Sequence, residues 1–218
     1  MEVYQTEEQQ ITMLKEFWKK NKMVIFLFTI VLCTSLFGNH VWRNYVAQRN
    51  EKASNIYQDI LIAMQGVDIP KVKEKGELLL KDYKKTPYAA LSAMILAKVA
   101  IDEQDMVGAI DKLRMVIASS NKTSLLYIAK IKLARLLYAK GEYQAALQEL
   151  GEAPNDYKIM YEELKGDIYL SLNELTKARE AYKNAMLYAN GNPIPWVEMK
   201  LNSINAVDDE VKEEATNK

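Results

Sequence analysis

The stretches IAKIKLARLLYAKGEYQAALQEL (residues 128–150) and YEELKGDIYLSLNELTKAREAYKNA (residues 161–185) superpose with an offset of 32 positions. In the first, Ala134, Leu137, Gly141, Tyr143, Ala146 and Leu150 recur at fixed offsets; Gly166, Tyr169, Asn173, Leu175, Ala178 and Tyr182 hold the same offsets in the second. The first small residue, Ala134 or Gly166, lets two helices approach closely. The short turn that follows needs a left-handed residue, which Gly141 and Asn173 tolerate best. The second small residue, Ala146 or Ala178, is the contact point of the next helix. Each stretch therefore reads as helix, turn, helix.

This pattern resembles the tetratricopeptide repeat, whose helix pairs recur about every 34 residues. The phase continues upstream through Ala97, Ala109 and Leu113 in ALSAMILAKVAIDEQDMVGAIDKL, and through Gly76 and Leu80 in VKEKGELLL. The contact points are then Gly76, Ala109, Ala146 and Ala178, spaced 33, 37 and 32 residues apart. Such a unit cannot bury its apolar face alone, so several must stack into one solenoid. Pro70, Pro87, Pro154 and Pro193 fall near helix starts or inter-helix turns, where proline is tolerated. The resemblance implies that the first helix of each pair lines a concave face. Projected onto this chain, that face holds Met94, Lys98 and Ile101, then Ile131, Arg135 and Tyr138, then Met160, Glu163, Asp167 and Leu170. Mixed apolar and charged side chains there suit a protein or peptide partner.

Ahead of the repeats, Met23–Trp42 is twenty residues long and contains no Asp, Glu, Lys or Arg. A hydrocarbon core about 30 Å thick requires roughly that length of helix. Trp18 and Trp42 bracket the run as interfacial aromatics do. The stretch from Ser35 to Asn39 lacks a small-x-small cleavage site, so an uncleaved anchor is expected. Lys15, Lys19, Lys20 and Lys22 crowd the N-terminal flank, which puts the N-terminus in the cytoplasm by the positive-inside rule. Ile11, Leu14, Phe17 and Trp18 recur at helical spacing and suit the inner membrane surface. The expected organisation is a cytoplasmic segment 1–22, a transmembrane helix 23–42, a repeat domain 43–205 and a disordered acidic tail 206–218. The fold class is all-α: an N-terminal transmembrane helix followed by a tetratricopeptide-repeat-like α-solenoid.

Lys+Arg and Asp+Glu are equal at 29 each, which argues against phosphate-backbone binding. The only histidine is His40 and the only cysteine is Cys33, both within the apolar run. Catalytic triads, Cys–His dyads and most zinc sites are thereby excluded from the repeats. Asp102, Glu103 and Asp105 could suggest a metal site, but the repeat phase places them in a solvated turn. Asn121-Lys122-Thr123 matches a glycosylation sequon and reads more simply as a polar loop. A non-enzymatic protein without metal or cofactor is the expectation.

The order of a short acidic start, a lysine-aromatic patch, one membrane helix and repeats resembles the YfgM family of ancillary subunits of the SecYEG translocon. The residues that carry this are Tyr4, Glu7, Glu8, Gln9, Lys15, Trp18, Lys19 and Asn21, then Trp42, Arg43 and Tyr45. The resemblance implies a bacterial inner-membrane protein with periplasmic repeats that associates with SecYEG and the membrane-anchored chaperone PpiD. It further implies help in passing secreted proteins to periplasmic chaperones. The alternative is a tetratricopeptide scaffold for another membrane assembly, such as pilus or cell-division machinery.

Overall fold

The computed structural model describes the backbone of residues 7–119 and 124–216, and the side chains of those residues other than 7–10, 14, 25 and 206–216. The sequon at Asn121 lies outside the described residues, as does Tyr4. Nine helices and no strand occur among the described residues: α1 (Glu7–Gln65), α2 (Ile69–Asp82), α3 (Pro87–Asp102), α4 (Met106–Ser119), α5 (Ser124–Ala139), α6 (Tyr143–Leu150), α7 (Asn155–Ser171), α8 (Leu175–Tyr188) and α9 (Pro195–Thr216). The chain divides into two compact units, residues 1–52 and 53–218.

In the first unit the apolar run lies within α1. Its described side chains are exposed, among them Met23, Phe26, Phe28 and Phe37. Among the described residues no single helix is long and apolar enough to cross a membrane. The segments Ile11–Val24 and Phe26–Gln65, bent by 54° at their junction, meet that requirement together. The bend falls close to the start of the apolar run, with Met23 and Val24 on its N-terminal side.

The second unit begins at Ala53, inside the region expected to open the repeat domain at Arg43. From there each helix packs on the next, α2 on α3 through to α8 on α9, and α5 also meets α7. Four turns fix this winding: Val67, Gln104, Gly141 and Asn173 all have positive φ, from 56° to 80°. Each is bracketed by the same hydrogen bonds. Asp68, Asp105, Glu142 and Glu174 donate backbone N–H groups to Ala63, Ala100, Leu137 and Tyr169 at 2.8–2.9 Å. This six-to-one closure satisfies carbonyls that the helix end would otherwise orphan. Asp68 and Asp105 then cap the next helix, accepting from Lys71 N and Gly108 N at 3.2 and 2.9 Å. The glutamates at the same place in the two later turns make no such cap.

The turns define the repeat register and correct one part of it. Ala109, Ala146 and Ala178 each lie five residues after their turn residue and are fully buried. Five residues after Val67 stands Val72, also fully buried, so Val72 and not Gly76 is the contact point of the first pair. Gly76 lies one helical turn further on, level with Leu113, Leu150 and Tyr182. It is small because Leu96 lies against it: a Cβ there would sit 2.9 Å from that side chain. The spacing of contact points is therefore 37, 37 and 32 residues.

Packing follows this register. Leu80, Ala93, Leu113, Leu133, Leu137 and Ile168 belong to one continuous core through the middle of the unit. Each large aliphatic side chain removed from water there contributes about 1.5–3 kcal/mol. Ile60, Val72 and Leu79 form a second cluster at the front, and Tyr182, Ile194, Val197 and Ile204 a third under α9. Helix α9 runs to Thr216, where disorder was expected from residue 206. Glu, Lys and Ala in that tail are strong helix formers, and the helix is already nucleated by the packed turn around Val197.

Candidate functional site

Counting back from each turn residue locates the projected face. Three residues before it stand Met64, Ile101, Tyr138 and Leu170; six before it stand Leu61, Lys98, Arg135 and Asp167; ten before it stand Tyr57, Met94, Ile131 and Glu163. The first row is open to solvent at Ile101 and Leu170, 38% and 39% exposed, with Met64 and Tyr138 half-buried. In the second row Leu61, Lys98 and Arg135 are exposed and Asp167 is half-buried. The third row turns inward. Met94 is half-buried against the core, and Ile131, only 4% exposed, is a core residue and not a face residue as projected. At about 100° per residue position ten lies between the other two rows, so its burial comes from its place further back along the helix, where the middle pair is covered by the core around it. Met160 remains exposed, one turn ahead of Glu163.

Tyr57, Leu61 and Met64 were missed in the sequence. They lie near the end of α1, so no helix start marks them. The signal that reveals them is Asp68, 37 residues before Asp105, each directly after a left-handed residue.

The face is tied across helices. Tyr138 Oη and Ser171 Oγ share a hydrogen bond of 3.0 Å, linking α5 to α7. The Tyr138 ring also lies 5.7 Å from that of Tyr143. At the last pair, Lys200 of α9 donates to Glu163 Oε1 at 3.0 Å and to both carboxylate oxygens of Asp167 at 2.8 and 2.9 Å. Tyr182 Oη donates to the same Asp167 at 2.6 Å. Burial alone would lower the pKa of Lys200, but its hydrogen bonds and the charges of Asp167 and Glu163 outweigh that and raise it. Tyr182 is likewise pushed up, by burial first and then by Asp167. Two of the projected face residues, Glu163 and Asp167, are thus engaged within the molecule, by a lysine that the repeat phase could not find.

The acidic turn resolves into structural contacts: Asp102 pairs with Lys98 at 2.6 Å, Glu103 with Lys73 at 2.6 Å, and Asp105 caps α4. Among the described residues no group of three or more His, Cys, Asp or Glu side chains converges to hold a metal ion. A separate apolar hollow of about 280 Å³ lies between α2, α3 and α4, lined by Leu80, Ala89, Ala93 and Met115.

A family model described as a tetratricopeptide repeat-like domain matches residues 15–206. A protein of Aggregatibacter actinomycetemcomitans is 29% identical over 203 residues, 91% of this chain and 97% of its own length. One of Haemophilus influenzae is 27% identical over the same shares of both chains, and one of Escherichia coli K12 is 24% identical over 94% of this chain and all of its own. All three carry the name ancillary SecYEG translocon subunit. The family resemblance read from the sequence is met by these relatives.

Proposed function

This chain belongs to the tetratricopeptide repeat-like domain family, and from that premise we propose that it is an ancillary subunit of the SecYEG translocon working as a non-enzymatic adaptor. The observation that carries this is similarity over nearly the whole length of three proteins so named. In this reading residues 1–22 are cytoplasmic, 23–42 anchor the chain in the inner membrane, and the repeats from 43 to 205 lie in the periplasm. The exposed Phe and Val side chains of the apolar run support the anchor, since water is a poor solvent for a stripe of that size. The lysines at 15–22 support the orientation. The repeat domain then contacts PpiD and helps pass secreted chains to periplasmic chaperones. Tethering a binding face beside its partner raises effective concentration into the millimolar range, so individually weak contacts suffice.

The test is affinity purification of the full chain in mild detergent, followed by mass spectrometry. Translocon subunits and PpiD are the expected companions. Recovery of a pilus or division assembly in their place would overturn the reading. Protease applied to the periplasmic side should digest the repeats and spare residues 1–22; the reverse pattern would invert the topology.

A further inference from the structure

We propose that the exposed face of α5 recognises an acidic, amphipathic segment of a partner protein, a carboxylate seated on Arg135 and Lys132 and apolar side chains beside it. The inference rests on the adaptor reading above and specifies the chemistry of its partner. Helix α5, in the middle of the second unit, carries Lys130, Lys132 and Arg135 and no acidic residue at all. Lys132 and Arg135 are both exposed and lie three residues apart, hence on one side of the helix. Neither takes part in an ion pair or hydrogen bond among the described residues. The carboxylates nearest in the repeat register, Glu163 and Asp167, are engaged by Lys200 and Tyr182. They are therefore not available to neutralise α5 from its neighbour.

The remaining charge on the stripe is also cationic. Lys98, on the equivalent row of α3, is held among the described residues only by Asp102 of its own helix, with both side chains largely exposed. A pair of that kind is worth about 0–1 kcal/mol and is readily exchanged for an incoming carboxylate. The neighbouring row of the repeat register holds Ile101, Tyr138 and Leu170, each partly open to solvent. An arginine with its planar donor fork beside a tyrosine is a suitable seat for a carboxylate flanked by an apolar residue. A basic segment would meet uncompensated like charge.

The test uses the full chain in detergent micelles and fluorescence anisotropy. The probes are a labelled peptide of repeated Leu-Glu-Glu-Leu blocks and its counterpart with every Glu replaced by Lys, each with a free and an amidated C-terminus. The acidic peptide should bind, more weakly as salt rises, and the basic one should not. The double variant K132E/R135E should weaken binding about tenfold or more, as expected for close charge pairs across an interface. R135Q should give a smaller loss in the same direction. The control R114E, the same charge change on the exposed side of α4 that R135E alone would make on α5, should leave affinity within about twofold, since a rim or remote charge acts only through screened fields. Binding that requires the free C-terminus would assign the seat to a chain end; binding unaffected by amidation would assign it to acidic side chains, and either supports the proposal. Equal binding of both peptides, or equal loss with R114E, would overturn it. So would self-association of the chain abolished by the same double variant, because the occupant would then be a second copy. Retained co-purification with the translocon alongside a failed peptide test rejects this inference and leaves the adaptor reading standing; the opposite result rejects only the adaptor.

Discussion

At position 166 there is no room for a methyl group. A Cβ built there would lie 2.4 Å from Cε1 of Tyr182, whose ring is fully buried and whose hydroxyl is fastened to Asp167. Because the ring is held at both ends, it cannot swing away at low cost. Gly166→Ala should therefore destabilise the second unit by about 1–3 kcal/mol, measured by urea denaturation followed by circular dichroism. An unchanged midpoint would show that Tyr182 relaxes freely. Val67 is the opposite case. A β-branched residue with φ of 56° is strained, and its side chain, 74% exposed, gains little packing in return. Val67→Gly should raise stability by about 1 kcal/mol, and a fall in melting temperature would show that the strain is negligible.

At the scale of the element, the helix pair is the unit that the sequence spells out, and it does so through its small residues. Ala146 and Ala178 lie at the crossing of two helices and have no exposed surface. Ala146→Phe or Ala178→Phe should overpack that crossing and cost about 1–3 kcal/mol, read from the midpoint of thermal unfolding. A variant melting with the parent would mean that the crossing yields. These pairs were legible because Gly141 and Asn173 announce their turns. The first pair was not, because its left-handed residue is a valine, which statistics place almost anywhere else. The apparent contact point there slid by one helical turn, from Val72 to Gly76, since Gly76 mimics a close crossing while serving Leu96. Of the projected face, Lys98, Ile101, Arg135, Met160 and Leu170 are exposed. Ile131 is buried, because a stripe read from one helix ignores where along its length the core closes over it. Lys200 was invisible for a different reason: an ion pair spanning 33 residues leaves no local pattern.

For the whole molecule, Tyr161, Tyr182 and Lys200 are among the groups that link stability to alkalinity. Burial, with smaller help from Tyr127 and Tyr157, pushes the Tyr161 hydroxyl up to about 12. Tyr182 and Lys200 are shifted in the same direction. In each case the native state holds its proton more tightly than the unfolded chain does. Their contribution is complete below pH of about 10, the unfolded range for Tyr and Lys, and is lost as pH rises through the native values. The unfolding free energy should thus fall steeply between pH of about 10 and 12. Tyr161→Phe should flatten that slope, because its hydroxyl makes only a 3.3 Å bond to Tyr127 O. Identical slopes for parent and variant, from urea titrations across that range, would assign the alkaline loss elsewhere.

The bond from Lys200 to Asp167 also sets the order in which the molecule comes apart. A stack of helix pairs touching only their neighbours frays from its ends, and the last helix should open first. Here the last helix is stitched past α8 to α7, so fraying at that end must break α7, α8 and α9 in a single event. Their amide protons should then exchange with solvent deuterium at one common rate. Lys200→Ala cuts the stitch, and the amides of residues 195–205 should exchange first while those of α7 keep their protection. If α9 already exchanges ahead of α7 in the parent protein, the lysine is no fastening.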